Sequence, residues 1–185
     1  MKTTKLLMAD HERILQALQI LREITTGIEN GSPMNNEDIR SLLDFFRDFA
    51  DGSHHVKEEA ILFPGLMQAG MSLQDAPLRV MCYEHERGRA LVAAMDESLG
   101  RDNINDFIMY ARRYQELLTA HIEKENYVLF EIADRTLTDD EDETIAGAFD
   151  HFDKTIVGSA ACQRFRRIID DLAAKYLGLR VPVLN

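Results

Sequence analysis

Two histidine–glutamate pairs are the feature of this sequence with the clearest chemical meaning. His54 and Glu58 are four residues apart, and His121 and Glu125 repeat the same spacing. Residues four apart lie on one face of an α-helix. Because imidazole and carboxylate groups are common metal ligands, the two pairs predict a metal site inside a helical protein.

Two further histidines, His11 and His85, fall where a helical hairpin would bring them to the same height as the pairs. The point midway between His11 and His54 lies in the turn sequence 31–33. The midpoints of His54 with His85, and of His85 with His121, also fall in turn sequences. In an antiparallel bundle, residues equidistant from a turn lie at one level. The spacing therefore predicts one histidine per helix, all at a common level.

The resulting group of four imidazoles and two carboxylates would be costly to bury without a cation. It has more ligands than one tetrahedral zinc needs and suits two metals of intermediate softness. Two iron ions sharing the carboxylates as bridges would keep positions for water, oxygen, peroxide or nitric oxide, although the same ligands also accept manganese or zinc. The predicted metal ligands are His11, His54, Glu58, His85, His121 and Glu125.

Five helices with no strand are predicted from apolar residues at helical spacing. Gly52 and Pro64 predict bends in the second helix, and Gly158 a break in the fifth. The fold class is therefore all-α, an up-down-up-down four-helix bundle with an additional C-terminal helix. Residues 1–134 are expected to form the bundle, and residues 135–185 an extension packed on it within a single domain. The predicted helices cover about 5–29, 36–68, 72–99, 103–133 and 138–177.

The ordered set of motifs resembles the hemerythrin family, the HHE cation-binding domains. The resemblance covers about residues 5–132 and implies a four-helix bundle holding a non-haem di-iron centre with the same six ligands. The motifs that carry it are Asp-His-Glu-Arg-Ile-Leu around His11, His-His-Val-Lys-Glu-Glu with Ile-Leu-Phe-Pro from His54, Glu-His-Glu-Arg-Gly-Arg around His85, and His-Ile-Glu-Lys-Glu with Val-Leu-Phe from His121.

Two positions differ from the oxygen-carrying hemerythrins. Those proteins have a second histidine on the third helix, where this chain has Arg89, and an aspartate five residues after the last histidine, where this chain has Asn126. The carboxylate here is Glu125, one residue earlier. These differences favour the bacterial type with four histidines and two glutamates, which is associated with oxidative and nitrosative stress.

Several neighbours of the predicted ligands have alternative interpretations. His55 and Glu59 adjoin ligands but point about 100° away on an α-helix. They are alternative ligands, and otherwise we expect them around the site or at the surface. Tyr114 and Met81 lie on ligand-bearing faces and are interpreted as core packing, with Tyr114 also a candidate hydrogen-bond donor. Arg89 is expected to form a salt bridge or to approach a small anion.

The composition excludes several classes of function. The net charge of −11 argues against binding to nucleic acid or to anionic membrane surfaces, which both require a basic face. The chain shows no signal sequence or membrane span, so we expect it to be cytoplasmic. Cys82 and Cys162 are too few for a disulfide framework, and His151 is expected to be solvated or structural.

Three functions are compatible with the sequence. The first is a di-iron protein that binds or reduces oxygen, peroxide or nitric oxide; the residues leave open whether it turns over. The second is an iron- or oxygen-sensing module without turnover, which would contact a second copy or a protein partner through the C-terminal helix. The third is a structural bundle with adventitious zinc.

Overall fold

Four long helical rods and a C-terminal extension make up the computed structural model, which describes residues 1–178. The first rod is α1 (Lys2–Glu29), and the third is α4 (Ala76–Gly100). The second rod joins α2 (Asn36–Phe45), the π-helical segments Phe46–His55 and Glu58–Leu62, and α3 (Phe63–Gln68). The fourth joins α5 (Ile104–Lys124), the π-helical segment Glu125–Leu129 and α6 (Phe130–Thr136). The extension contains α7 (Asp139–Phe152), the π-helical segment Asp153–Gly158 and α8 (Ser159–Tyr176).

The predicted fold class is confirmed, because residues 1–178 contain only helices and turns. Rods that follow one another in the chain are joined by short turns, and α5 packs along both α4 and α1. None of the described helices combines the length and the apolar character needed to cross a membrane. The last residues of the predicted extension, 179–185, lie outside the described part of the chain.

The turns have the chemistry that the sequence predicts. Gly31 and Gly70 have φ angles of 87° and 108°, a left-handed conformation that glycine adopts without steric cost. The side chain of Asn35 accepts hydrogen bonds from the backbone N–H groups of the first turn of α2. Thr138 and Glu141 form a capping box at the start of α7. These local signals fix where each rod begins and ends.

Two apolar clusters fill the bundle, one on each side of the histidine level. In the first rod, Leu7 belongs to one cluster and Ile14 to the other. In each of the other three rods, the apolar residues on the two sides of the site also belong to different clusters. In the third rod, for example, Met81 precedes His85 and belongs to the smaller cluster, and Val92 follows it and belongs to the larger one. The histidines therefore lie in a polar layer between two dry layers of side chains.

The bends expected in the second rod take the form of π-helix. Gly52 lies inside the π-helical segment Phe46–His55. Pro64 lies in the first turn of α3, where its missing N–H group is tolerated. Gly158 ends the π-helical segment of the extension with a φ angle of 84°, so the predicted break in the fifth helix occurs at this residue.

The extension packs on the bundle and also caps its first helix. Phe165 and Ile169 of α8 are buried in the larger apolar cluster. Asp142 of α7 accepts hydrogen bonds from the backbone N–H groups of Lys2 at 2.8 Å and Thr3 at 3.0 Å. These groups belong to the first turn of α1, which has no partner for them within its own helix. A residue of the extension thus supplies the hydrogen-bond acceptors for the first turn of α1.

Replacing Asp142 with alanine should lower the free energy of unfolding by about 1–2 kcal/mol, the usual effect of losing a helix cap. Burial raises the pKa of Asp142, but the bonds from Lys2 and Thr3 outweigh it and lower the pKa overall. The stabilisation should therefore be present at neutral pH and disappear as the pH falls through that lowered pKa. Urea unfolding at several pH values measures it. Asp171→Ala, at an exposed position of α8, is the matched control and should change stability little.

Candidate metal centre

The four predicted histidines meet in two pairs at the centre of the bundle. The Nε2 atoms of His11 and His54 are 3.1 Å apart, and those of His85 and His121 are also 3.1 Å apart. All four side chains are at most 1% exposed. The structure therefore brings together one histidine from each rod.

Two fully buried carboxylates, Glu58 and Glu125, lie between the histidine pairs. Glu58 has one oxygen 3.7 Å from Nε2 of His54 and the other 3.5 Å from Nε2 of His85. Glu125 has one oxygen 3.1 Å from Nε2 of His11 and 3.3 Å from Nε2 of His121, and the other 3.9 Å from Nε2 of His85. Each carboxylate thus extends from one pair to the other. None of their four oxygens has a hydrogen-bond partner among the described residues.

An oxygen atom faces the outer nitrogen, Nδ1, of each of the four histidines. Since a carboxylate or amide oxygen only accepts, it favours a hydrogen on Nδ1 and leaves the Nε2 lone pair directed inward. Two lone pairs then face each other across 3.1 Å in each pair, an arrangement that a shared cation would stabilise. The outer oxygens belong to Asn126 for His11 (2.8 Å), Glu59 for His85 (2.7 Å) and Glu84 for His121 (3.0 Å). The oxygen that faces His54 belongs to Asp10 and lies farther away, at 3.5 Å, without forming a hydrogen bond.

The electrostatics of the site also favour a cation. Burial lowers the pKa of His54 to about 4 and lowers the pKa of His85. These imidazoles are therefore neutral at pH 7, the form that binds metals. Burial, with the neighbouring charge of Glu125, raises the pKa of Glu58 well above its ordinary value. Buried electron-pair donors therefore lie close together, and the carboxylate oxygens of Glu58 and Glu125 accept no hydrogen bond from a cationic side chain among the described residues.

A buried lysine connects the site to the extension. Lys57 is 4% exposed, and its Nζ lies 2.7 Å from Asp10 and 3.4 Å from Asp153 of the extension. Although burial alone would raise the pKa of Asp10, its contacts with His54 and Lys57 lower it to about 2. Asp10 therefore stays ionised as the outer partner of His54, and a continuous polar contact runs from that histidine to the extension.

His55 is a buried residue of the site that the predicted ligand set omits. It is 3% exposed, and its ring stacks on that of His85 with centroids 3.9 Å apart. The prediction assumed the rotation per residue of an α-helix. The chain here is π-helical, with a wider turn, so two consecutive histidines both face the interior. Gly52 was the available signal that the helix is irregular.

Two overlapping groups of side chains have the spacing of metal ligands, with one ligand atom from each residue within 4.8 Å of the others. Both groups are fully buried and share Glu58. The first group is His11, His54, Glu58 and Glu125, and the second is His55, Glu58, His85 and His121.

The other residues considered from the sequence lie outside the two groups of side chains. Arg89 donates from Nε to Asp51 at 2.7 Å and from Nη2 to Glu59 at 2.7 Å, so it forms salt bridges as expected. Tyr114 and Met81 are buried in the apolar clusters, in agreement with core packing. His151 is exposed.

A cavity of about 450 Å³ opens between the second and third rods beside the centre. His55 lines it on the side of the site, together with Asp51, Arg89 and Tyr114. The cavity is large enough for several water-sized molecules. His55 is the member of the second group of side chains that the cavity reaches.

Fold and site together define an all-α protein with a buried histidine–glutamate cluster able to bind metal. The family model of the Hemerythrin HHE cation binding domain matches residues 2–133, and the chain belongs to this family. The predicted resemblance is thereby confirmed. Neither the curated proteins nor the solved structures contained a match.

Proposed function

We propose that this protein holds two iron ions in the centre and binds or reduces a small oxidant, such as oxygen, peroxide or nitric oxide. A role in the response to oxidative or nitrosative stress would follow. The observation that carries the proposal is the pair of Nε2–Nε2 contacts connected by two buried carboxylates. The proposed ligands are the six predicted residues His11, His54, Glu58, His85, His121 and Glu125.

The nitrogen separation within each pair suits two imidazoles bound to one ion. Two imidazole nitrogens bound about 2.1 Å from one ion would be about 3.0–3.4 Å apart, depending on the angle between them. Both pairs have a separation of 3.1 Å. This separation is compatible with iron, manganese or zinc.

Protein residues have three tasks in this proposal. Glu58 and Glu125 would connect the two ions and balance their charge, while the outer oxygens orient the imidazoles. The apolar clusters on both sides keep bulk water from the site, and the cavity beside His55 is the proposed route for the oxidant. Iron, when bound, supplies the redox chemistry that these side chains lack.

Metal analysis of protein expressed with iron tests the proposal directly. We expect two iron ions per chain and a near-ultraviolet absorption that changes when peroxide or nitric oxide is added. Reconstitution with manganese and zinc under competition measures the preference among metals. Protein that retains no stoichiometric metal, or iron-loaded protein with no spectral response to any oxidant, would contradict the proposal.

A sensing role is the second candidate, and the contact through Lys57 favours it. Lys57 links Asp10, which supports a proposed ligand, to Asp153 of the extension. A change at the metal could thus alter how the extension packs, and a second copy or another protein would then bind through the C-terminal helix. The 70% exposed Ile156 beside α8 is an apolar contact for such a partner. In a sensor, the accessibility of the extension to protease would change when the metal is removed. In an oxidant-reducing protein it would stay the same.

A further inference from the structure

His55 shares the surroundings of the four proposed histidine ligands. Its Nδ1 lies 3.3 Å from Oδ1 of Asp51. This oxygen faces the outer nitrogen of the ring, as the outer oxygens do for the four proposed histidine ligands. Asp51 is itself fixed by Arg89 at 2.7 Å. Polar contacts therefore hold the ring from its outer side.

The inner nitrogen of His55 has no partner of its own. Its Nε2 is buried and lacks a hydrogen bond to any described residue. A buried polar atom left without a partner is destabilising and requires an explanation. The neighbours of His55 supply one, because one ring nitrogen of His55 lies within 4.8 Å of ligand atoms of Glu58, His85 and His121. Since Nδ1 faces Asp51, we assign that nitrogen as Nε2.

We propose that His55 is a seventh protein ligand, whose ring turns out of its stacked position on His85 so that Nε2 binds the metal ion held by His85 and His121. The inference rests on the proposed di-metal centre and adds to it. One ion would then have three imidazole ligands and the other two, His11 and His54. Asp51, which contacts the outer side of His55, and Arg89, which holds Asp51, would be positioning residues for His55.

The histidine content of the chain makes the proposal measurable. The sequence has six histidines, five of which are buried in the site, and the sixth, His151, is exposed. The other four buried histidines give an average of two imidazole ligands for each of two bound ions. A measured average above two therefore requires His55 as a ligand. X-ray absorption or pulsed electron paramagnetic resonance of the iron-loaded protein gives this average without any assay of activity.

The variant His55→Gly should lower the imidazole average and weaken the binding of one ion by about tenfold or more relative to the wild type. Free imidazole, which can enter through the cavity at this position, should restore both the average and the spectrum. His151→Ala is the matched control and should match the wild type. His55→Gln, which keeps more of the side-chain volume, should show the same loss of one imidazole if His55→Gly does not fold.

The outcomes separate this inference from the proposed function. A wild-type protein that binds no stoichiometric metal would overturn the di-metal centre itself. A wild-type protein that binds two ions with an average of only two imidazoles each would leave that centre intact and exclude His55 as a ligand. A spectrum unchanged between His55→Gln and the wild type would exclude it in the same way.

Discussion

Replacing Glu125 with glutamine should remove metal from both positions while leaving the protein folded. The carboxylate contacts His11 of one histidine pair and His121 of the other, so its loss removes a proposed bridge between the two ions. Losing a residue that only orients a ligand typically weakens metal binding about 10–100-fold, and losing a bridging carboxylate should exceed that range. Metal analysis after dialysis against a weak chelator measures the effect.

The metal-free variant should have nearly the stability of the metal-free wild type. Burial of the Glu125 charge is costly, but its contacts with His121 and His11 outweigh that cost and lower its pKa, so glutamine removes both a penalty and a stabilising contact at nearly constant volume. A change of no more than about 1 kcal/mol in the free energy of unfolding is expected. The control is Glu123→Gln, at an exposed position on the same rod, which should keep both metal ions. Full metal content in Glu125→Gln would show that this carboxylate is not a ligand.

Much of the fold follows from short-range signals in the sequence. Leu7, Ile14, Leu18 and Leu21 recur at helical spacing and are all buried in the structure. Asn35 and Thr138 cap the helices that follow them, as their residue types predict. Such signals are local, so they can be recognised without knowing how the rods cross.

The level of the histidines was also predictable, because short turns fix which residues of adjacent antiparallel helices lie opposite each other. What the spacing could not give is the local helix type. Three π-helical segments carry His54, Glu58 and Glu125, and one of them turns His55 inward. A sequence pattern read at 3.6 residues per turn places that residue outside the site.

The outer partners of the histidines depend on contacts between rods, which no local pattern specifies. His121 faces Glu84 of the third rod, and His11 faces Asn126 of the fourth. Acidic and amide residues are frequent along every helix of this acidic chain, so the sequence cannot say which of them supports which imidazole. The same holds for Lys57 and Asp153, which are far apart in the chain but in contact.

Removing the metal should lower the midpoint of thermal unfolding by about 8–16 °C. A ligand present at about 1,000 times its dissociation constant stabilises the folded state by about 4 kcal/mol, and a domain of this size shifts by about 2–4 °C per kcal/mol. The buried, unpartnered oxygens of Glu58 and Glu125 are the physical reason, because a cation is the partner they lack. Calorimetry before and after chelation measures the shift, and Glu125→Gln, which should bind no metal, should not respond to the chelator.

Limited proteolysis of the same two samples separates the candidate functions. In an oxidant-reducing protein the extension should be cleaved equally with and without metal, because its packing through Phe165 and Ile169 does not involve the ligands. In a sensor, metal loss should disturb His54 and Asp10, release the contact between Lys57 and Asp153, and expose the extension to cleavage near Ile156. A midpoint unchanged by chelation, with equal cleavage, would instead support a structural bundle that binds metal adventitiously, since no folding free energy would then depend on the cation.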